Sequence, residues 1–163
     1  MRSLAGSSIL TYVLRLKDRH NGNILIDNEG SIIHIDFGFI LGMSPGGLNF
    51  ESSPFKLTEE YVDLMGGKNS PDYNYFRDLF CEGMMALRKR VDELCLLLEI
   101  MSDSSDLDCF QNFKIENFRE KFKLKLSEKK YKEYCQSLVE KSCMNSRTVH
   151  YDTFQKITND IIP

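Results

Sequence analysis

No apolar run in the 163-residue chain approaches the roughly 20 residues that a membrane-spanning helix needs, so the sequence offers no transmembrane segment. Basic residues are not in excess. Twenty-one Lys and Arg stand against 24 Asp and Glu, a net charge of −3, which argues against a dedicated nucleic-acid binder and leaves room only for local basic patches. No C-x-x-C pair occurs, and the five cysteines (Cys81, Cys95, Cys109, Cys135 and Cys143) are odd in number. That fits reduced thiols in a cytosolic protein better than a disulfide framework or a zinc site. Internal repeats and low-complexity tracts are absent. The opening MRSLAGSSIL holds one Arg and a brief mixed run that breaks at Arg15, so it does not read as a secretory signal. The 42% hydrophobic and 28% charged residues are those of an ordinary globular domain, long enough for one core.

Hydrophobic spacing then organises the chain. Leu4, Ile9, Leu10, Tyr12, Val13, Leu14 and Leu16 suit a buried helix over Leu4 to Leu16. Two short β-type runs, Ile24 to Ile26 and Ile32 to Ile35, flank Asn28-Glu29-Gly30, where Asn and Gly tolerate positive φ; together they predict a hairpin. From Gly38 to Leu57 no period holds, and Ser44-Pro45-Gly46-Gly47 and Ser52-Ser53-Pro54 punctuate a long loop, the kind that is usually functional or mobile. Thr58 predicts an N-cap, with Glu59 and Glu60 in the first turn, for a helix that stops at Gly66-Gly67. A long helix is expected from about Tyr73 to Met101, and another after Ser127 carrying Tyr131, Tyr134, Leu138 and Val139. A last helix has an apolar stripe of Tyr151, Phe154, Ile157 and Ile161, read as a core face ahead of a membrane face. Arg88-Lys89-Arg90 and Lys129-Lys130 read as solvated helix faces, and His150 as a surface residue. The fold class is α+β and predominantly helical.

The chemistry gathers in KDRHNGNILIDNEGSIIHIDFGF, Lys17 to Phe39. Moving a γ-phosphate to a hydroxyl requires Mg²⁺, oxygens to hold that ion, and a group near the acceptor to take its proton. Asp36 opens D-F-G at the end of one strand, and Asn23 closes D-R-H-x-x-N at the start of its partner. Hairpin pairing brings the two together, so they can share a metal, while Asp18 and His20 lie on the preceding loop and can face the acceptor. His34 alternates with Asp36 along the strand and so is expected on the same side, as a structural residue.

D-R-H-x-x-N followed by D-F-G at hairpin spacing resembles the catalytic loop (17–23) and metal-binding motif (36–38) of the phosphatidylinositol 3- and 4-kinase superfamily. The order differs from the H-R-D-x-x-x-x-N of ordinary protein kinases. FGFILGMSPGGLNFESSPFKLT, Phe37 to Thr58, resembles the activation loop (39–57) of the type III phosphatidylinositol 4-kinases, and LDCF and YDTFQKITNDI in the tail resemble their beta branch. The resemblance implies the C-terminal lobe of a protein-kinase-like fold, with residues 1–163 as part of a lipid-kinase catalytic domain. It implies that Asp18 or His20 assists deprotonation of an inositol hydroxyl, that Asn23 and Asp36 bind Mg²⁺ (or Mn²⁺) with ATP, and that Arg19, His34, Phe37 and Gly38 support the loops. Lys56 is a candidate for the headgroup phosphate, its alternative being an ordinary solvated lysine. Gly46 and Gly47 would let the backbone approach that headgroup.

A kinase site also needs a lid over the phosphates and a lysine to hold them, and no Gly-rich phosphate loop occurs in the chain. The chain alone is therefore expected to transfer little phosphate, its missing N-lobe lying on the same or a separate chain. Phosphatidylinositol at a membrane surface, on the Golgi or other endomembranes facing the cytosol, is the implied substrate, and no nucleic-acid partner is expected. Two alternatives compete. One is a phosphatidylinositol-kinase-like protein kinase, whose usual Trp-containing tail is missing from this Trp-free chain. The other is a non-catalytic binding module, for which intact Asp18, Asn23 and Asp36 would have no obvious use.

Overall fold

A computed structural model describes residues 1–44, 53–145, 153, 156 and 157. Seven helices and one hairpin follow in order among them: α1 (Arg2–Leu14), β1 (Ile24–Ile26), β2 (Ile32–His34), α2 (Glu59–Leu64), α3 (Pro71–Lys89), α4 (Val91–Asp103), α5 (Asp108–Gln111), α6 (Ile115–Arg119) and α7 (Glu128–Ser142). Helix dominates and the only sheet among the described residues is the antiparallel β1–β2 pair, as the α+β reading expects. None of the described helices is long and apolar enough to cross a membrane.

Helix α1 begins and ends two residues earlier than its apolar pattern suggests. Arg15 turns left-handed at φ 50°, and Leu16 is buried beyond the helix. The buried face is built largely from small residues, Ala5, Ser8 and Thr11 beside Leu4 and Val13. They pack on α3, where the Ile9 side chain fills the space beside Gly83 that a Cβ would need. Helix α3 starts two residues before the expected Tyr73, with Pro71 in its first turn and the Ser70 hydroxyl accepting from Tyr73 N at 3.0 Å. Its core face, Tyr73, Phe76, Phe80, Cys81 and Met84, also meets α7, whose Tyr131, Cys135, Leu138 and Val139 are buried.

The single long helix expected over Tyr73 to Met101 is two. Arg90 leaves helical geometry at φ −115°, and its N–H reaches back to Leu87 O at 2.9 Å. Its carbonyl starts α4 by accepting from Leu94 N at 3.0 Å, while its guanidinium pairs with Glu93. Helical spacing runs through the break because one non-helical residue barely disturbs the apolar phase. Arg88 is not a solvated charge either. It lies over the Tyr131 ring, 4.4 Å from its centroid, and donates to Leu124 O and Leu126 O at 3.1 and 2.5 Å, which moors the 123–126 turn.

Thr58 and Ser127 precede α2 and α7 as expected, and α2 ends before Gly66 and Gly67, both at positive φ. Ser127 Oγ accepts from Lys130 N, whereas the Thr58 hydroxyl turns to the Glu60 carboxylate, which it holds below the usual range. The segment before α2 is anchored in the core: Phe55 stacks on Phe80 with ring centroids 4.9 Å apart, and Leu57 pairs with Cys143 at the end of α7. Gly46, Gly47, His150, Tyr151, Phe154 and Ile161 lie outside the described residues. Ile157 is 77% exposed, so it does not occupy the core position its stripe predicts.

Candidate active site

The hairpin and the loop before it are joined by one buried side chain. Arg19, 3% exposed, donates from Nε to Lys17 O at 2.8 Å and from Nη1 to Ile35 O at 2.8 Å and Asn23 O at 3.5 Å. Nη2 donates to Asp36 O at 2.5 Å. A guanidinium presents five N–H groups in a rigid fork, which is why one arginine can gather carbonyls from both ends of a 20-residue stretch, Lys17 to Asp36. Ile35 N donates to Asn23 O at 3.1 Å and Lys17 N to Phe39 O at 2.8 Å, closing the same junction from the backbone side.

Asp18 and Asp36 stand on either side of this junction, and both adopt left-handed backbone, at φ 61° and 55°. Asp is among the non-glycine residues that tolerate this region, and such conformations concentrate where function demands them. Asn23 is buried in a 3-10 turn, Asn21–Asn23, and its Nδ2 donates to Asp18 O at 3.0 Å and Asp18 Oδ2 at 3.5 Å. His20 Nε2 lies 3.8 Å from Asp18 Oδ2, and its Nδ1 is buried with no hydrogen-bond partner among the described residues. Asp18, His20 and Asn23 therefore form one constellation. Asp36 is exposed, and its Oδ1 accepts from Gly38 N at 3.1 Å; a Cβ at Gly38 would sit 3.3 Å from that oxygen, a tight contact that the glycine avoids.

Two expectations change with these positions. Strand β2 ends at His34, and Asp36 has left extended geometry, so alternation does not set which way Asp36 faces. His34 is half-buried; burial first, and the Arg19 charge second, push its imidazole down to about 4 from an ordinary 6.5. Lys56 reaches the loop itself: its Nζ donates to Asn21 Oδ1 at 2.9 Å. Asn21 was not singled out in the sequence, because a variable position inside H-x-x-N carries no signal until a neighbour arrives from 35 residues away. Phe37 is 48% exposed beside Asp36, and Gly46 and Gly47 lie outside the described residues.

The oxygens of Asn23 and Asp36 are hard donors of the type that suits Mg²⁺ or Mn²⁺. Among the described residues no group of three or more His, Cys, Asp or Glu could hold a metal. Mg²⁺ beside a nucleotide takes only one or two protein oxygens, with phosphates and water completing its shell, so donors of this type and number are compatible with that ion.

A loop of this order, locked to a D-F-G strand end, defines a kinase-type hairpin of the lipid-kinase sort. The family model described as phosphatidylinositol 3- and 4-kinase matches residues 1–110, and the chain belongs to that family. It is 45% identical over 163 residues to phosphatidylinositol 4-kinase beta of Xenopus tropicalis and of Rattus norvegicus, covering 99% of this chain and 20% of each relative. It is 46% identical to a phosphatidylinositol 4-kinase of Dictyostelium discoideum, of which it covers 14%. The chain thus spans a fifth or less of the length of these curated relatives.

Two outcomes follow from the geometry. Arg19→Lys supplies one ammonium where a fork serves four carbonyls, and it is expected to destabilise the full-length protein by about 2–3 kcal/mol in urea denaturation. A variant as stable as the parent would remove the guanidinium from its central position. The His34 imidazole is expected to titrate near 4 by NMR. Between about 6.5 and 4 the unfolded chain then binds a proton that the folded chain refuses, so stability falls as pH drops through that window. His34→Gln should flatten that part of the stability profile; a midpoint near 6.5 would contradict the burial argument.

Proposed function

We propose that the protein is a phosphatidylinositol 4-kinase, transferring the γ-phosphate of ATP to the 4-hydroxyl of phosphatidylinositol at a membrane surface. The observation that carries this reading is the convergence of Asp18, His20 and Asn23 with Asp36 at one end of the hairpin. The identity to kinases of that name over the whole chain supports it. The lobe covering the nucleotide would be supplied by further sequence of the same protein or by a separate chain. A peripheral position on Golgi or other endomembranes is part of the proposal, and rests on the beta-type resemblance.

In this mechanism the Asp18–His20 pair receives the proton of the attacking hydroxyl. Asn23 Nδ2 steadies the Asp18 carboxylate, and His20 Nε2 lies on the Asp18 side of the ring. Asn23 and Asp36 would hold Mg²⁺, which when bound neutralises phosphate charge. Arg19 and Gly38 act through position: one sets the separation of loop and strand end, the other avoids a tight contact with the Asp36 carboxylate. Lys56, held over the loop by Asn21, supplies a point charge for the headgroup phosphate.

Full-length protein assayed on phosphatidylinositol vesicles tests this. Asp36→Asn is expected to lower kcat by about 10²–10³-fold or more with the melting temperature retained, and the parent's product should carry its phosphate on the 4-position. Undiminished turnover in the variant would sink the assignment. Lys56→Ala is expected to raise KM for the lipid while largely sparing kcat. An unchanged dependence on lipid concentration would take Lys56 out of the headgroup site.

A further inference from the structure

A concave feature lies between the end of α1, the segment after D-F-G and the α5–α6 segment. It is a cavity of about 180 Å³, with Val13, Phe113 and Phe118 as apolar lining. Three cationic side chains converge on it: Arg15, Lys114 and Lys121. Lys121 Nζ donates to Tyr12 O at 2.9 Å and Val13 O at 2.7 Å, carbonyls that the end of a helix leaves unsatisfied. An ammonium has three donors, so one remains. Arg15, turned left-handed just past α1, lays its guanidinium against Gly42.

No carboxylate lies within ion-pairing distance of these three among the described residues. The one acidic residue in the lining, Asp108, is engaged by Gln111 Nε2 at 2.8 Å. Burial first, and then the charges of Arg15 and Lys17, pull Lys121 down to about 7, which is what like charges around a desolvated ammonium do when nothing opposes them. The side-chain amides of Asn112 and Asn117 add neutral donors to the same lining. The volume is below the roughly 300 Å³ at which drug-sized pockets begin, so the space suits a tetrahedral oxyanion and not a nucleotide.

We propose that this cavity is an anion site that takes a phosphate group, bound by the Arg15 fork with Lys114 and Lys121 completing the charge. A bidentate guanidinium and two ammonium groups match a dianion with several oxygens better than they match chloride or a single carboxylate. The site shares Leu41, Gly42 and Met43 with the segment that follows D-F-G, and Leu41 N is bonded to Leu14 O at 2.8 Å. A bound phosphate would therefore strap the start of that segment to α1. The proposal does not depend on the kinase reading.

Calorimetric titration of the full-length protein with inorganic phosphate, at ionic strength held constant with chloride, tests it. Saturable binding is expected, with Arg15→Ala and Lys114→Ala each weakening it by about tenfold and Lys89→Ala, exposed at the end of α3, leaving it unchanged. A second titration with a short-chain, water-soluble phosphatidylinositol monophosphate separates the sources. Tighter binding than inorganic phosphate, lost in Arg15→Ala, assigns a lipid headgroup; equal binding assigns free phosphate, and both uphold the site. Absence of saturable phosphate binding, or Arg15→Ala curves that superpose on the parent, would overturn it. Lys121→Ala is avoided because that side chain also caps α1.

Discussion

The Arg19 guanidinium is the contact on which the rest of the site depends. A charge 3% exposed has surrendered most of its hydration, and backbone carbonyl oxygens take the place of water around it. That choice has a structural consequence. Carbonyls of residues 17, 23, 35 and 36 must all point at one place, so the loop and the strand end cannot drift apart without stranding a buried cation. The two left-handed aspartates sit on either side of this point, where a network that over-determines the backbone can hold them. The same cation reaches His34 electrostatically and helps keep that imidazole neutral, so one side chain shapes both the geometry and the charge of the hairpin.

The helices supply the platform. Close approach of α1 to α3 at Gly83 and the aromatic layer of Phe55, Phe76, Phe80 and Tyr131 give the hairpin a rigid base, although β1 and β2 are three residues each. A two-stranded ribbon that short is marginal by itself, and packing against a helix is what sustains it. Ile32 N donates to Ser3 Oγ at 3.1 Å, and Ile32 packs on the core, so α1 supports the ribbon directly. The outer side of the hairpin stays open: Leu25, Ile26 and Ile33 are each exposed by 45% or more, beside Phe37.

Much of this was legible in the residues. D-R-H-x-x-N and D-F-G are local patterns, and the hairpin between them followed from two β-type runs and a turn. Helix starts at Thr58 and Ser127 are set within a few residues of chain, by which side chains precede a run of helix formers. The break at Arg90 was not legible, because the apolar phase on either side of it matches. Nor was the work of Arg88, since a run of Arg88-Lys89-Arg90 looks the same whether one member stacks on Tyr131 or all three face water. The exposure of Ile157 likewise depends on what packs nearby, which a stripe on one helix does not reveal.

The sequence by itself determined the order of elements, the chemistry available and the family pattern that carries it, because each of these is written in residue types at short spacing. Tertiary structure decided which of those residues act together. Arg19 became a staple only when residues 35 and 36 folded back to it. Lys56 met Asn21 across 35 residues, and Arg15 came to face Lys121 across more than 100. Burial and charge proximity are properties of the packed chain: the same lysine is an ordinary cation in water and an unbalanced one where packing buries much of it near Arg15.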